Sequence, residues 1–383
     1  MDLFIIAGEP SGDAQGAKLI EALLQKKPAL KIGAVAGPRM RSLKIESLFP
    51  MENLQVMGFV DVLFALPKIV RQFKAIRRKI IELNPKAVLF IDYPGFNLRL
   101  QRSLRKKGYE GKLIHFVCPS VWAWGKKRIP MMEQNLDLLL ALFPFEEAIF
   151  ARARLPVHFV GHPLAAPIAS FIPSKTFREI QRIAEGQKIL SIFPGSRKKE
   201  IGRNLPLQME AARKLAALDP SLQIAVSIAH IEFEEEIRHF AKDALLIPPQ
   251  DNYELMSASH LAMATSGTVT LELALHGIPT IVNYAIKPLD CFIAQKILRI
   301  NLPFYCIVNI ILSKSIFPEL FGPNLTEDKL FFWIQKFWFD SDSRETCLKG
   351  CSEVRKSLGV RNAALEAAGH ILESGFLTPS KVN

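Results

Sequence analysis

The sequence predicts an α/β protein with two Rossmann-like domains whose parallel sheets face a central cleft. Short and nearly continuous apolar runs alternate with helical patterns, which is typical of parallel sheets covered by helices on both faces. The runs form two successive series, separated by the Pro- and Gly-rich residues 161–173. The chain has 383 residues, of which 49% are hydrophobic, so it is long enough for two such domains.

Each predicted strand is a short apolar run followed by a helical pattern. We expect a first domain over residues 1–165, a second domain over 174–345 and a C-terminal helical segment over 346–383. Ligands of such sheets bind beyond the carboxyl ends of the strands, so the loops that follow strands are where chemistry is expected. The predicted strands comprise residues 3–7, 32–36, 87–91, 113–117, 138–143 and 157–160 in the first series, and 189–193, 223–227, 244–247, 260–263 and 280–283 in the second.

Composition and charge exclude several classes of protein. Residues 1–7 lack the basic and long apolar regions of an export signal, so we expect a first strand there. The five cysteines are scattered without a CxxC pair, which indicates reduced, cytoplasmic thiols. The longest charge-free apolar stretches are too short to span a bilayer. The net charge of +12 indicates an anionic partner, but nucleic acid is not expected because no nucleic-acid-binding signature is present.

The positive charge is concentrated in one part of the chain. Residues 66–107 contain twelve Lys and Arg against two acids. Residues 59–79 interleave large apolar side chains with cations. This pattern fits a helix that lies in a membrane surface and attracts anionic lipid headgroups, or an ordinary surface helix with its apolar face in the core. The residues alone favour the second. The candidate membrane-contact side chains are Val62, Leu63, Phe64, Leu66, Lys68, Ile69, Val70, Arg71, Phe73 and Lys74.

The most informative turn has the sequence ATSGTVTLE, residues 264–272. An apolar strand runs into Ser266, Gly267 and Thr268, and the helix that starts there points its first backbone N–H groups beyond the strand end. Such a turn suits a diphosphate, and Glu272, one helical turn after Thr268, could accept hydrogen bonds from a ribose diol. The pattern indicates a sugar nucleotide. The alternative is a plain helix start with Ser266 or Thr268 as its cap.

A second candidate anion loop follows the first strand of the second series. Its residues are Gly195, Ser196 and Arg197. Gly195 lets the backbone approach a phosphate, and the Arg197 guanidinium can neutralise charge on a departing nucleoside diphosphate. Taken alone, the loop also fits a basic surface turn. Two such loops in one half of the chain support each other.

Two loops of the first series carry candidate acceptor and base residues. Glu9, Ser11, Gly12 and Asp13 belong to a Gly-bracketed turn that could seat the phosphate or hydroxyls of an acceptor, or could be a tight turn capped by Ser11. Asp92 follows the third strand, where a carboxylate near apolar walls can take the proton of an attacking hydroxyl. A helix cap or an ion pair with a nearby arginine is the alternative for Asp92.

No metal ion or cofactor is expected. Residues 340–342, Asp-Ser-Asp, imitate the DxD pair that binds a metal in some sugar transferases. However, residues 342–345 fit a capping box at the start of the C-terminal helix better. No His and carboxylate cluster has the spacing of metal ligands. A mechanism without a metal is therefore preferred.

Nine short motifs occur in order along the chain. They are AGEPSGD (7–13), AGPRM (36–40), MENLQVMGFVDVL (51–63), IDYPGFN (91–97), PSVWAW (119–124), FPFE (143–146), GHPL (161–164), PGSR (194–197) and SGTVTLE (266–272). Together they closely resemble the motifs of the lipid-A-disaccharide synthases, from the first strand to about residue 319. Some of the motifs are weak alone, but nine in order are highly specific.

The resemblance implies an inverting, metal-independent glycosyltransferase of the two-Rossmann, GT-B type, located in the cytoplasm and peripherally bound to the inner face of a Gram-negative cytoplasmic membrane. It would join UDP-2,3-diacylglucosamine to 2,3-diacylglucosamine 1-phosphate (lipid X) through a β-1',6 linkage and release UDP. The C-terminal segment would pack back on the first domain or be exchanged in a homodimer.

The resemblance also implies roles for single residues. Asp92 would be the base for the acceptor 6-hydroxyl, with Glu9 beside it, and Asn309 would be a polar acceptor-side residue. Arg197 would face the donor diphosphate, residues 266–268 would hold phosphate oxygens, and Glu272 would bind the ribose. Residues 59–79 would contact an anionic membrane surface, which reverses the preference stated above. The alternatives are another UDP-N-acetylglucosamine-using transferase or epimerase on the same fold, and a noncatalytic membrane-binding protein.

Overall fold

The computed structural model describes residues 1–54, 59–286 and 302–377. The chain divides into two compact units. Unit 1 comprises Met1–Pro163 and Val360–Asn383, and unit 2 comprises Leu164–Gly359. Each unit contains one parallel sheet covered by helices, so the predicted α/β class with two Rossmann-like sheets is confirmed.

In unit 1, the part of the chain that the structure describes forms seven parallel strands. They are β1 Leu3–Ala7, β2 Ile32–Ala36, β3 Glu46–Pro50, β4 Ala87–Ile91, β5 Lys112–Phe116, β6 Leu138–Ala141 and β7 Val157–Phe159. Their order in the sheet is β3-β2-β1-β4-β5-β6-β7. The helices between them are α1 Pro10–Lys26, α2 Pro38–Arg41, α3 Phe59–Leu83, α4 Pro94–Lys106, α5 Ile129–Asn135 and α6 Pro144–Ile149.

The described residues of unit 2 form six parallel strands. They are β8 Ile189–Phe193, β9 Gln223–Ser227, β10 Leu245–Ile247, β11 Leu261–Thr265, β12 Thr280–Tyr284 and β13 Glu319–Phe321, in the order β10-β9-β8-β11-β12-β13. Its helices include α7 Ala165–Ala169, α8 Phe177–Ile180, α9 Lys198–Leu218, α10 Glu234–Phe240, α11 Asn252–Ala258, α12 Thr268–His276, α13 Ile307–Leu312, α14 Glu327–Phe339 and α15 Ser341–Leu358. None of the described helices in either unit has the length and apolar content needed to cross a membrane.

The central strands are almost entirely apolar because helices cover both faces of each sheet. Along β1, Leu3 and Ile5 join the hydrophobic cluster on one face, whereas Phe4 and Ile6 join the cluster on the other. All five residues of β1 are buried, and the same holds for β2, β4, β8 and β11. This two-sided burial produces the continuous apolar runs from which these strands were predicted.

Sequence reasoning missed one strand in each sheet. β3 and β13 lie at sheet edges, where each pairs with only one neighbour. An edge strand needs less apolar surface than a central one, and Glu46 and Ser47 of β3 are exposed. Neither segment therefore contains the apolar run that marks the other strands.

The C-terminal segment divides between the two units. Helix α15 packs with α12 and α14 in unit 2, and the last helix, α16 Ala363–Glu373, packs on α1 in unit 1. The interpretation of residues 342–345 as a capping box is wrong. The N-cap of α15 is Asp340, whose Oδ1 accepts hydrogen bonds from the backbone N–H groups of Asp342 and Ser343.

Replacement of Ile371 by Ala should lower the free energy of unfolding by about 2–4 kcal/mol. Ile371 is fully buried in the cluster that α16 forms with α1. Leu365→Ala, on the same helix, is the control, because the Leu365 side chain is 39% exposed. Urea unfolding followed by circular dichroism measures both changes. Equal and small effects of the two substitutions would contradict this packing.

Candidate active site

Unit 2 contains a cavity of about 550 Å³ at the carboxyl ends of its central strands. β8 and β11 are neighbours in the sheet, so the loops that follow them lie side by side. The Thr265 hydroxyl at the end of β11 donates a hydrogen bond of 2.9 Å to the Pro194 carbonyl after β8. Both predicted anion loops therefore line one cavity, as do Phe171, Glu200 and Tyr253.

The loop after β8 reverses at Gly195. Its φ of +117° is unfavourable for any residue with a side chain, and a Cβ there would lie 2.9 Å from the Glu200 Cβ. The turn leads into α9, for which Arg197 is the N-cap residue. The backbone N–H of Ser196 donates to Glu200 Oε2 at 3.3 Å, and Arg197 Nη1 lies 2.8 Å from Glu200 Oε1. Gly195, Ser196 and Arg197 thus lie together. The structure shows that the Glu200 side chain contacts the same loop.

The loop after β11 presents the start of α12 to the same cavity. Ser266 N donates to the Asn283 carbonyl at 3.0 Å, which joins the turn to β12. Gly267 is the N-cap, and both the N–H and the hydroxyl of Thr270 donate to its carbonyl. The first N–H groups of α12, beginning with Thr268, have no acceptor within their own helix. Those N–H groups and the helix dipole favour an anion.

Glu272 lies one turn along α12 and lines the cavity. The Tyr253 hydroxyl donates to Glu272 Oε1 at 3.2 Å. Burial raises the pKa of Glu272, and the hydrogen bond from Tyr253 lowers it. The Tyr253 ring contacts Phe171 and His276 edge to face, which fixes its position. The Glu272 carboxylate is therefore held at the cavity wall with one oxygen engaged.

Sequence reasoning did not identify Glu200 or Tyr253 as site residues. Glu200 could have been found, because it lies three residues after Arg197, where a helical first turn brings it back to the loop. Tyr253 comes from α11, and nothing in the local sequence indicates that its hydroxyl meets Glu272.

In unit 1, Asp92 lies at the carboxyl end of β4 in a strained backbone. Asp92 and Tyr93 both adopt left-handed conformations, with φ values of 45° and 50°. Asp92 N donates to the Phe116 carbonyl, and Asn97 Nδ2 donates to the Asp92 carbonyl at 2.7 Å. Burial raises the pKa of the Asp92 carboxyl, and a hydrogen bond from the Tyr93 amide lowers it. Strain of this kind clusters at functional sites.

The first turn of α1 lies beside Asp92 and Tyr93. The Tyr93 ring packs against Gly8 so closely that any Cβ on Gly8 would collide with it. Glu9 is the exposed N-cap residue of α1; burial raises the pKa of Tyr93, and the charge of Glu9 raises it further. Glu9 and Asp92 therefore both lie near Tyr93.

Asp13 has a structural role that the sequence did not indicate. Its carboxylate accepts hydrogen bonds from the backbone N–H groups of Gly37, Arg39 and Met40, at 2.8–3.1 Å. It thereby fixes the start of α2 against α1, and the acceptor-side role of Asp13 stays a prediction. Gly12 is buried in α1 and Ser11 is exposed.

Asn309 also has a structural role, and its acceptor-side role stays a prediction. It is fully buried in unit 2, on α13. Its Nδ2 donates to the Phe317 carbonyl and to Glu319 Oε1, and its Oδ1 accepts from the N–H groups of Ile316 and Phe317. These four bonds shape the segment that leads into β13, so the Asn309 amide group is occupied within unit 2.

The predicted membrane-contact residues divide into three groups. The side chains of Val62, Leu63 and Phe64 lie outside the described residues. Ile69 and Phe73 pack partly against the core of unit 1, where Phe73 contacts Phe96 edge to face. Among the predicted residues, the side chains of Leu66, Lys68, Val70, Arg71 and Lys74 are exposed.

These features define a class: a GT-B-like protein with two parallel-sheet units, of which unit 2 has a cavity lined by two loops that lead into helices. The chain superposes on UDP-GlcNAc 2-epimerase from Neisseria meningitidis, solved with UDP-GlcNAc, with a TM-score of 0.62 and 13% identity, covering 99% and 100% of the two chains. A glycosyltransferase from Rickettsia africae gives a TM-score of 0.58 and 12% identity, with 99% of each chain covered. At these identities the likeness shows the fold.

Sequence comparison then identifies the family, and the chain belongs to the lipid-A-disaccharide synthetases. The profile of that family matches residues 3–368. Lipid-A-disaccharide synthase from Chlamydia trachomatis serovar D is 40% identical over 324 residues, which are 83% of this chain and 53% of that protein. The Rhodospirillum centenum protein of the same name is 35% identical over 362 residues, which are 93% of this chain and 90% of that protein. The chain spans about half the length of the chlamydial relatives it matches.

Asn309→Ala should lower the free energy of unfolding by about 2–4 kcal/mol, because it leaves buried N–H and carbonyl groups without partners. Asn324→Ala is the control, since Asn324 is exposed and should change stability by less than about 0.5 kcal/mol. Urea unfolding monitored by tryptophan fluorescence distinguishes the two variants. Wild-type stability of Asn309→Ala would argue against the structural role.

Proposed function

We propose that the protein is a glycosyltransferase of lipid A biosynthesis. It transfers 2,3-diacylglucosamine from UDP to the 6-hydroxyl of 2,3-diacylglucosamine 1-phosphate and gives a β-1',6-linked disaccharide 1-phosphate and UDP. Membership of the lipid-A-disaccharide synthetase family supports this reaction. Binding of the UDP-sugar donor is inferred from the cavity of unit 2, where two loops that lead into helices lie beside Glu272.

The donor roles follow from the chemistry of that cavity. Backbone N–H groups at the starts of α9 and α12 suit the diphosphate, and the Arg197 guanidinium neutralises the charge that grows on departing UDP. The Glu272 carboxylate, with one oxygen engaged by Tyr253, accepts hydrogen bonds from the ribose diol. These groups supply the electrostatic stabilisation that a metal ion provides in other sugar transferases.

Asp92 is the proposed general base. The acceptor oxygen forms a bond to the anomeric carbon while the bond from that carbon to the UDP oxygen breaks, and the hydroxyl proton passes to the Asp92 carboxylate. One such displacement inverts the anomeric configuration. The raised pKa of Asp92 makes its carboxylate a better proton acceptor. Glu9, exposed beside the Tyr93 ring, is the second candidate for this step, and Ser11 and Gly12 belong to the same acceptor turn.

The acyl chains of both substrates place the reaction at a membrane surface. Exposed Leu66 and Val70 on α3 can enter the headgroup region, while Lys68, Arg71 and Lys74 attract anionic lipids. We therefore propose peripheral binding to the cytoplasmic face of the inner membrane. A homodimer is part of the same proposal and rests on the family resemblance.

One assay separates this function from its alternatives. The protein is incubated with labelled 2,3-diacylglucosamine 1-phosphate, with and without UDP-2,3-diacylglucosamine. A disaccharide lipid that appears only with the donor supports the proposal. Conversion of UDP-N-acetylglucosamine without a lipid acceptor would instead support an epimerase, and lipid binding without turnover would support a noncatalytic role.

Asp92→Asn should lower turnover by at least roughly a hundredfold, because the amide cannot take the proton. UDP affinity should be unchanged, since Asp92 lies in unit 1 and the proposed UDP site in unit 2. Turnover of the wild type should fall as the pH drops through the raised pKa of Asp92. Activity of Asp92→Asn near the wild-type level would move the base elsewhere, with Glu9→Gln as the next variant to measure.

The same substitution has a predicted effect on stability. Because the folded-state pKa of Asp92 is raised, ionisation of this group costs folding free energy once the pH rises above its ordinary value. Asp92→Asn should therefore be more stable than the wild type at neutral pH, and the difference should shrink as the pH falls below the raised pKa. Thermal unfolding across that pH range measures it, and a pH-independent difference would contradict the raised pKa.

A triple variant that reverses three cations of α3 should bind anionic vesicles at least roughly a hundredfold more weakly than the wild type. It carries Lys68→Glu, Arg71→Glu and Lys74→Glu. The control carries the same charge change on unit 2, Lys329→Glu/Lys349→Glu/Lys356→Glu, at exposed positions. It should retain most of the binding, and salt should release the wild type. Cosedimentation with vesicles of anionic and of zwitterionic lipid measures this. Equal loss in both variants would make the attraction a general effect of net charge.

A further inference from the structure

Glu200 places a carboxylate inside the donor cavity, where a negative charge opposes the proposed ligand. Its side chain is only 15% exposed, and it lines the cavity together with Gly195 and Ser196. Oε2 accepts from Ser196 N at 3.3 Å, and Oε1 lies 2.8 Å from Arg197 Nη1. Both oxygens are thus bound by the groups that the loop after β8 offers to an anion.

A carboxylate and a phosphate use the same donors. Each accepts hydrogen bonds from a backbone N–H and from a guanidinium, and each gains from the start of a helix. The Ser196 N–H and the Arg197 guanidinium cannot serve Glu200 and a diphosphate fully at the same time. The two anions would also repel each other at hydrogen-bond distance.

We propose that Glu200 competes within the molecule for the donor diphosphate site. It holds Ser196 and Arg197 in position until the diphosphate of the UDP-sugar takes them, and it returns to them as UDP leaves. This inference rests on the proposed function. Its consequence is that Glu200 limits the affinity for UDP, which keeps the product from occupying the cavity.

The first turn of α9 offers the displaced carboxylate another partner. Glu200 is the third residue of α9, and Arg203 follows three residues later, a spacing at which side chains on a helix are neighbours. A rotation of the Glu200 side chain away from the cavity therefore brings it toward Arg203. No movement of the helix is required for the exchange.

A purely structural role for Glu200 makes the opposite prediction. If Glu200 only caps α9 and orients Arg197, removal of its charge should loosen the loop and weaken UDP binding. Glu200→Gln distinguishes the two roles, because the amide oxygen still accepts from Ser196 N while the competing charge is gone. The sign of the change in affinity is the readout.

Isothermal titration with UDP tests the inference on the full-length protein. Glu200→Gln should bind UDP more tightly, by roughly threefold to tenfold, and inhibition of the transferase by UDP should increase by a similar factor. Uridine, which has no phosphate, should bind both proteins equally. Glu236→Gln is the matched control: it loses the same charge, but Glu236 lies 3.7 Å from Lys198, the residue after Arg197, and its UDP affinity should not change.

The outcomes separate this inference from the proposed function. If the wild type binds UDP and Glu200→Gln binds it equally or more weakly, the competition is disproved while the donor site stands. If Glu236→Gln increases UDP affinity as much as Glu200→Gln does, the change in net charge is responsible and the inference also fails. Absence of UDP binding by the wild type would overturn both proposals.

Discussion

The parallel pairing of β8 with β11 determines where the cavity of unit 2 forms. Because both strands end at one edge of the sheet, the turns at Gly195 and Gly267 open into a common space, and the bond from Thr265 to Pro194 fixes their separation. Each turn leads into a helix, and residues of both turns, Gly195, Ser196, Gly267 and Thr268, line the cavity. Glu200 and Glu272 add carboxylates to the lining of the same cavity.

In unit 1, the strand that corresponds to β11 in the order of the sheet is β4, and the chain turns differently at its end. Two consecutive left-handed residues, Asp92 and Tyr93, turn the chain sharply after β4. The turn costs folding free energy, and it is held by the bonds of Asn97 and by the Tyr93 hydroxyl, which donates to the Leu54 carbonyl. Burial of Asp92 adds a further cost. Both costs are expected if function requires the Asp92 carboxylate at a fixed position with a raised pKa.

The sequence predicted the features that depend on local pattern. Central strands appear as apolar runs because both of their faces are buried, and the two anion loops appear because a glycine and a helix start leave local signatures. Edge strands β3 and β13 were missed since only part of their surface is buried. The hydrogen bonds of Asp13 and Asn309 depend on side-chain geometry in the folded chain. Asp13 accepts from residues 24 to 27 positions away, and the Asn309 amide group bonds to the segment that leads into β13. Tyr253 was not identified because its partner, Glu272, is 19 residues away on another helix.

A crystal structure of the protein with UDP tests the central claim most directly. The account predicts diphosphate oxygens within about 3 Å of the backbone nitrogens of Ser196 and Thr268, and ribose hydroxyls bonded to the Glu272 carboxylate. UDP bound outside the cavity between the β8 and β11 loops would contradict it.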